Sequence, residues 1–263
     1  IARIARAIQR CDDDVESEAE AALVRSLDPG DADARLVAVA PREVPARVVE
    51  RCAAQNGWFA DLRSAATPAQ ALAALDRFRI LCALRHGPLG VAGLNAAVEA
   101  ALFDNPVLLP RHYHLRPLLI TQNDYRLRLF NGDIGVIFEE EVDGERRTRA
   151  CFPGPDGGGV RRLSPSQLPP HETCYAMTIH KSQGSEFDAV VVVLPESGDD
   201  TGRSLLTREL LYTGVTRARR ALELWSTPAV LAQTLRRATR RYSGLPERLQ
   251  ALPGEAGAED PPR

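Results

Sequence analysis

The highest density of side chains that could do chemistry lies in residues 175–188. Thr178, His180, Lys181 and Ser182 are short or flexible donors that suit phosphate oxygens. A polar turn with a satisfied histidine is the alternative, and it is the commoner explanation of a lone His-Lys-Ser. Since the whole fourteen-residue string has to be explained, we interpret these four side chains as a phosphate-facing group.

Two further residues of this segment are suited to a ligand. Gly184 gives access to the backbone, and the carboxylate of Glu186 can accept a hydrogen bond from a ribose hydroxyl. The nearly all β-branched run at 188–194 follows, which is typical of a strand buried on both faces of a parallel sheet. Loops at strand ends are where such folds place ligands, so the segment predicts a site.

An arginine cluster forms the second constellation. Residues 207–217 predict an amphipathic helix that delivers Arg217 at its C-terminal end, with Arg219 and Arg220 close behind. Cations are mildly favoured there by the helix dipole, so a solvated helix end is one interpretation. The other is that one arginine reaches the γ-phosphate of a nucleotide held by another domain, a task for which the forked, permanently charged guanidinium is suited.

The elements that must position these residues alternate between strand and helix. Strands are predicted at 36–40, 79–84, 117–121, 172–178, 188–194 and 222–225, and helices over 1–27, 43–55, from Thr67-Pro68, over 91–102, over 207–217 and from Thr227-Pro228. This alternation predicts an α/β layered domain. Residues 126–170 break the rhythm with dense turn signals, which predicts a small inserted β-barrel.

Composition narrows the class of protein. The chain has 263 residues and a net charge of −2, so a nucleic-acid site has to be a local patch. Five scattered cysteines without C-x-x-C spacing favour reduced thiols and a cytoplasmic location over a disulfide framework or a zinc site. No apolar run approaches the roughly 18 residues of a membrane-spanning helix. The first residue is Ile1, which predicts a fragment or a processed product.

These strings resemble known helicase motifs. Residues 175–188 and 208–220 look like motifs V and VI of superfamily 1, and residues 78–95 resemble the motif IV region of the RecD family. Asn123-Asp124 with residues 129–135 is similar to the family segment that leads into an SH3-like insertion, and residues 171–173 match the point where that insertion ends. The resemblance covers about residues 75–240.

The resemblance implies a fold and a role for each matched residue. It implies a RecA-like parallel-sheet motor domain (2A) over 61–125 and 171–245, with an inserted SH3-like β-barrel (2B) over 126–170. Residues 1–60 would then be the end of a first RecA-like domain with junction helices, and 246–263 a disordered tail. By matched position Arg217 contacts the ATP γ-phosphate, Gly184, Glu186 and Arg85 contact the nucleotide, and the DNA-facing residues are Thr178, His180, Lys181 and Ser182.

One departure from the helicase pattern is plain. No G-x-x-x-x-G-K-[ST] phosphate loop occurs in the sequence. The phosphate cradle and the ligands of Mg²⁺ are therefore expected in a first domain that is not part of this sequence. The chain alone is expected to be half of an ATP site and to be inactive.

The resemblance implies the C-terminal motor half of an ATP-dependent 5′-3′ DNA helicase subunit, working with RecB- and RecC-like subunits on single-stranded DNA in double-strand-break repair. A stand-alone or relaxase-type helicase is the enzyme alternative. A non-catalytic module that binds DNA or partners is the alternative of a different class. Membrane association is not expected.

Overall fold

Ten strands and seven α-helices make up the part of the chain that the computed structural model describes, which is residues 1–11, 27, 33–155, 158–196 and 205–239. The acidic residues Asp12, Asp13 and Asp14 and the predicted tail 246–263 lie outside these ranges. The helices are α1 Ala2–Gln9, α2 Val44–Ala53, α3 Ala60–Arg63, α4 Pro68–Arg77, α5 Val91–Leu102, α6 Arg208–Val215 and α7 Pro228–Arg236. The strands are β1 Ala34–Val37, β2 Phe78–Cys82, β3 Pro117–Ile120, β4 Ile134–Val142, β5 Glu145–Pro153, β6 Val160–Leu163, β7 His171–Thr173, β8 Ala176–Thr178, β9 Phe187–Val193 and β10 Ala218–Trp225.

A parallel sheet in the order β1-β10-β9-β2-β8 forms the centre of the predicted α/β layers. Its middle strand β9 is the β-branched run, whose valines alternate between two cores. Val190 and Val192 pack in the core formed with α1, α6 and α7. Val191 and Val193 pack in the core formed with α2, α3, α4 and α5. Burial on both faces explains the continuous apolar sequence of this strand, and the predicted parallel α/β architecture is confirmed.

Threonine side chains start three of the helices. Thr67 accepts a hydrogen bond from the backbone N–H of Gln70, and Thr227 accepts one from Val230 N, both at 3.3 Å. Proline occupies the first helical turn in both cases, where its missing N–H costs nothing. Thr207 caps α6 in the same way, through Leu210 N at 3.3 Å. The predicted helix starts at Thr67 and Thr227 are confirmed.

Strand β1 and helix α2, which lie before position 60, belong to the same layered structure as the rest of the parallel sheet. Strand β1 pairs with β10 from Ala34↔Leu222 to Val37↔Trp225. Helix α2 buries Val48 and Cys52 in the core that also contains α5. These elements complete one side of the sheet that carries the motifs, and the assignment of residues 1–60 to the end of a first domain stays a prediction.

The predicted insertion is a five-stranded antiparallel sheet in the order β6-β5-β4-β3-β7. It runs from β3 to β7, so the predicted bounds of 126–170 are too narrow. Strand β3 is entirely buried. A short apolar run of this kind does not show whether the strand belongs to a parallel or an antiparallel sheet. The strand predicted over 172–178 is divided: β7 pairs with β3, and β8 pairs with β2. Within the described residues no pairing joins β6 to β7.

Candidate functional site

Arg217 lies between the end of α6 and the start of β10, as the sequence predicts, and it is half-buried. Its Nε donates to Thr213 O at 3.1 Å and its Nη1 donates to Ser185 O at 3.0 Å. The Nη2 donates to Thr216 Oγ1 at 3.1 Å. A guanidinium has five N–H donors, so these contacts fix its position and leave capacity for a phosphate oxygen.

The predicted nucleotide-facing residues Gly184 and Glu186 lie beside this arginine, because the backbone N–H of Phe187 donates to Arg217 O at 2.8 Å. Gly184 has φ +87°, a conformation that L side chains rarely adopt, and a Cβ there would meet nothing within 4 Å. The Glu186 carboxylate is exposed, and its Oε2 lies 3.7 Å from Arg219 Nε. Sequence and structure therefore agree in bringing Gly184, Glu186 and Arg217 together.

The predicted DNA-facing residues lie at the other end of the same segment. The Thr178 hydroxyl accepts a hydrogen bond from Lys181 N at 3.2 Å, which stabilises the single 3₁₀ turn His180–Ser182. His180 is exposed and the Lys181 side chain reaches the surface. Ser182 is fully buried and donates to Ile179 O at 2.7 Å. The side chain of Ser182 is therefore not exposed for the predicted contact with DNA, because its hydroxyl closes the turn.

Arg85 does not join the nucleotide-facing residues. It follows the C-terminal end of β2, and its Nη2 binds Glu172 Oε2 at 2.9 Å. The other oxygen of Glu172 binds Lys181 Nζ at 2.8 Å. Arg85 therefore lies with Lys181 and apart from Gly184, Glu186 and Arg217, because Arg85 and Lys181 both follow strands that end at the same edge of the sheet.

Two opposite edges of the parallel sheet thus carry the two groups. Thr178 is level with Val193 through their shared partner Cys82, and Phe187 is the first residue of the strand that ends at Val193. Six residues of extended strand span about 20 Å. The segment from 178 to 187 consequently runs from the edge with Lys181 and Arg85 to the edge with Arg217.

A residue that the sequence pattern did not reveal contacts the Phe187 end of this segment and the chain just before β8. Arg79 in β2 is fully buried, and its guanidinium donates to Cys174 O and to Leu75 O. The same guanidinium lies 4.9 Å from the ring centroid of Phe187. A buried arginine in an apolar strand is the one signal that could have identified it, because charged side chains are rarely buried without partners.

A cleft of about 370 Å³ lies beside the Arg85, Glu172 and Lys181 cluster. Asn95 of α5 forms its polar floor, donating to Thr173 O at 3.0 Å and to Ala176 O at 3.2 Å while accepting from Ala176 N at 2.8 Å. The sequence motif included Asn95 without giving it a role, and its role is to join β7 to β8. The cleft is lined by Arg85, His86, Val91, Ala92, Asn95, Ala96, Glu99, Glu172 and Thr173.

The fold and these two edges define the class of protein. Residues 173–224, which contain both groups of candidate residues except Arg85, match the UvrD-like helicase C-terminal domain. Similarity over most of the chain identifies the family more closely. The RecBCD enzyme subunit RecD of Mycobacterium tuberculosis is 44% identical over 184 residues, covering 69% of this chain and 30% of that protein. The chain is a homologue of RecD.

Further relatives extend the match. RecBCD enzyme subunit RecD of Mycolicibacterium smegmatis is 37% identical over 246 residues, which is 89% of this chain and 42% of that protein. The ATP-dependent RecD2 DNA helicase of Deinococcus radiodurans is 34% identical over 180 residues, which is 66% of this chain and 23% of that protein. The chain thus spans less than half the length of the curated relatives it matches.

Among solved structures, the chain is distantly similar to the Pif1 helicase from Candida albicans. The TM-score is 0.41 at 14% sequence identity, covering 95% of this chain and 58% of that one. Pif1 from Bacteroides in complex with ADP-AlF3 and single-stranded DNA gives a TM-score of 0.38 at 14% identity over 81% of this chain and 50% of that one. None of the helices in the described ranges is both long and apolar enough to cross a membrane.

Proposed function

We propose that the chain is the C-terminal motor half of an ATP-dependent 5′-3′ DNA helicase subunit. The observation that carries this proposal is the segment from 178 to 187, whose two ends lie at opposite edges of the parallel sheet. One end can meet a nucleic-acid backbone while the other contacts a nucleotide. Homology to RecD supports the assignment.

At the nucleotide edge, Arg217 is the catalytic residue of this proposal. Its hydrogen bonds to Ser185 and Thr213 hold the guanidinium in place, so that it can stabilise charge on a γ-phosphate bound by a first domain. Gly184 and Glu186 contact the nucleotide from the same edge. We assign the Mg²⁺ ligands to the first domain, which by the helicase pattern also holds the phosphate loop.

At the opposite edge, Lys181, His180, Thr178 and Arg85 contact phosphates of single-stranded DNA. Contacts of this kind carry no base preference, which suits a protein that has to move along any sequence. Arg85 and Lys181 are the two cations of this cluster, and Glu172 pairs with both of them.

The remaining parts of the proposal extend the homology to the whole assembly. The antiparallel sheet from β3 to β7 is the counterpart of an SH3-like 2B barrel, and the partners are RecB- and RecC-like subunits that act in the cytoplasm in double-strand-break repair. A stand-alone helicase is the second candidate, and it is favoured by the similarity to RecD2 of Deinococcus radiodurans. Co-purification distinguishes them: DNA unwinding by a monomer free of RecB and RecC homologues would contradict the subunit assignment.

The test of this function is ATP hydrolysis with and without single-stranded DNA. It is measured on the chain of 263 residues and on a longer protein in which the chain follows the N-terminal part of a RecD homologue. We expect no turnover by the chain alone and DNA-stimulated turnover by the longer protein. Turnover by the chain alone, with contaminating ATPases removed, would show that the nucleotide site has been assigned wrongly.

A further inference from the structure

The carboxylate of Glu172 holds two cations of the DNA-facing edge at once. Its Oε2 lies 2.9 Å from Arg85 Nη2, and its Oε1 lies 2.8 Å from Lys181 Nζ. Glu172 belongs to β7 and pairs there with Leu119 of the antiparallel sheet. The two cations follow strands of the parallel sheet. The carboxylate therefore adds charged contacts between the two sheets, next to the hydrogen bonds that Asn95 makes to β7 and β8.

This cluster is arranged so that its ion pairs can exchange. The side chains of Arg85, Glu172 and Lys181 are 54%, 27% and 21% exposed, so solvent and a ligand can reach them. Among the residues the structure describes, neither cation has a second carboxylate partner. Ion pairs that are open to solvent contribute little net stability and are screened by salt. A competing anion can consequently displace the carboxylate at small cost.

A phosphate of a nucleic-acid backbone offers the same acceptors as this carboxylate. Both groups carry one negative charge and present two oxygens that accept charge-assisted hydrogen bonds from arginine and lysine. We propose that Glu172 is a built-in competitor that occupies the phosphate position between Arg85 and Lys181 until DNA displaces it. This inference rests on the proposed function and adds a residue that limits affinity.

Two consequences follow from this exchange. Glu172 pre-positions both cations in the absence of DNA, and it lowers the affinity for each phosphate, which lets the strand leave as well as enter. Because Glu172 is part of the antiparallel sheet, its release also removes the charged contact between the sheets when DNA is bound. The shared core keeps the two sheets packed against each other when this contact is lost.

The experiment measures binding of a fluorescein-labelled oligo(dT) to the chain by anisotropy, over a range of salt concentrations, for the wild type and Glu172→Gln. Glutamine keeps the shape and removes the charge. We expect Glu172→Gln to bind about threefold or more tightly at low salt, and its salt dependence to be steeper, because no freed carboxylate recruits a cation from solution. In an Arg85→Ala background the gain should shrink, since one of the two cations that Glu172 neutralises is gone.

Glu140→Gln is the matched control, because Glu140 is also half-buried and paired with an arginine, Arg162 at 3.0 Å, but lies on β4. It should leave the affinity unchanged. Thermal denaturation checks that Glu172→Gln is folded. If it is not, a second variant, Glu172→Ser, should show the same gain in affinity for the oligonucleotide. If the wild type binds the oligonucleotide and neither Glu172 variant binds it more tightly, the role of Glu172 is refuted while the proposed DNA edge stands. No binding by the wild type or by any variant overturns the proposed DNA edge and the inference with it.

Discussion

Three arginines lie close together after α6, and the structure gives them different surroundings. Arg217 is half-buried and donates to the backbone of the segment that carries the motif. Arg219 is exposed and pairs with Asp188 at 3.2 Å, while Arg220 is exposed. Arg219 also donates to the backbone of this segment, at Glu186 O, so burial is what distinguishes Arg217 from it. This difference could not be read from the helix-end pattern, which treats the three residues alike.

We predict that Arg217→Ala in the longer, two-domain protein lowers DNA-stimulated ATP turnover by about a thousandfold, since arginines that stabilise a transferring phosphoryl group contribute roughly 10³ or more. Steady-state turnover at saturating ATP is the measurement. Arg220→Ala is the control and should retain activity. A fold check by circular dichroism is needed because Arg217 also bonds to Ser185 O. Turnover within threefold of wild type in a folded Arg217→Ala protein would refute the catalytic assignment.

At the scale of elements, the edge strand β1 is attached to β10 by a charged network as well as by its backbone ladder. Glu223 Oε1 lies 2.5 Å from Arg35 Nη2 and 2.7 Å from Arg51 Nη2, and its Oε2 accepts from the indole of Trp225 at 2.8 Å. Burial alone would raise the pKa of the Glu223 carboxyl. The hydrogen bonds from Trp225 and Arg35 and the two positive charges outweigh it, so the pKa lies below its ordinary value of 4.5.

A pH-dependent stability follows from this lowered pKa. A group with a depressed folded pKa contributes stability that is present above its unfolded pKa and is lost as the pH falls through the folded pKa. We expect Glu223→Gln to lower the free energy of unfolding by about 1 to 2 kcal/mol at pH 7. The difference from wild type should shrink as the pH falls below 4.5.

Urea denaturation at several pH values measures this effect. Glu50→Gln is the control. Glu50 and Glu223 both line a cleft beside β1, but Glu50 is exposed and lies outside the charged network. A loss for Glu223→Gln that is equally large at pH 3 and pH 7 would show that the network acts through packing rather than through charge.

At the scale of the whole molecule, the two sheets share one core. Val136, Phe138 and Cys151 of the antiparallel sheet pack in the same buried cluster as Tyr175 and Val191 of the parallel-sheet region. Only one residue pair, Cys174-Tyr175, separates β7 from β8 in the chain. The antiparallel sheet is therefore packed against the parallel-sheet region and is not a separate unit on a linker.

Such a shared core predicts a single cooperative unfolding transition. Both tryptophans, Trp58 and Trp225, pack in this shared core with ring centroids 5.2 Å apart, so their fluorescence reports on the core. Far-ultraviolet circular dichroism reports on both sheets. Thermal melts followed by the two signals should coincide. A separate dichroism transition, without a change in fluorescence, would show that the antiparallel sheet unfolds independently.

Local sequence determined the elements and much of one edge of the site. The β-branched run of β9 and the threonine caps predict their own structure, because burial on both faces and helix starts leave signals within a few residues. Gly184, Glu186 and Arg217 were brought together by matched motifs, and the structure places them side by side. Homology to RecD, first suggested by the same strings, is confirmed by the relatives.

Tertiary structure alone decided which strands pair and which charges meet. Strand β3 was predicted, but its antiparallel partners and the division of 172–178 between two sheets were not, since an apolar run does not specify its partner. Glu172 lies 87 residues from Arg85 in the chain, and Arg79 lies 95 residues from Cys174. Contacts over such separations depend on how the sheets pack, and no local pattern encodes them. The sequence determined what each residue can do, and the packing of the two sheets determined where it can do it.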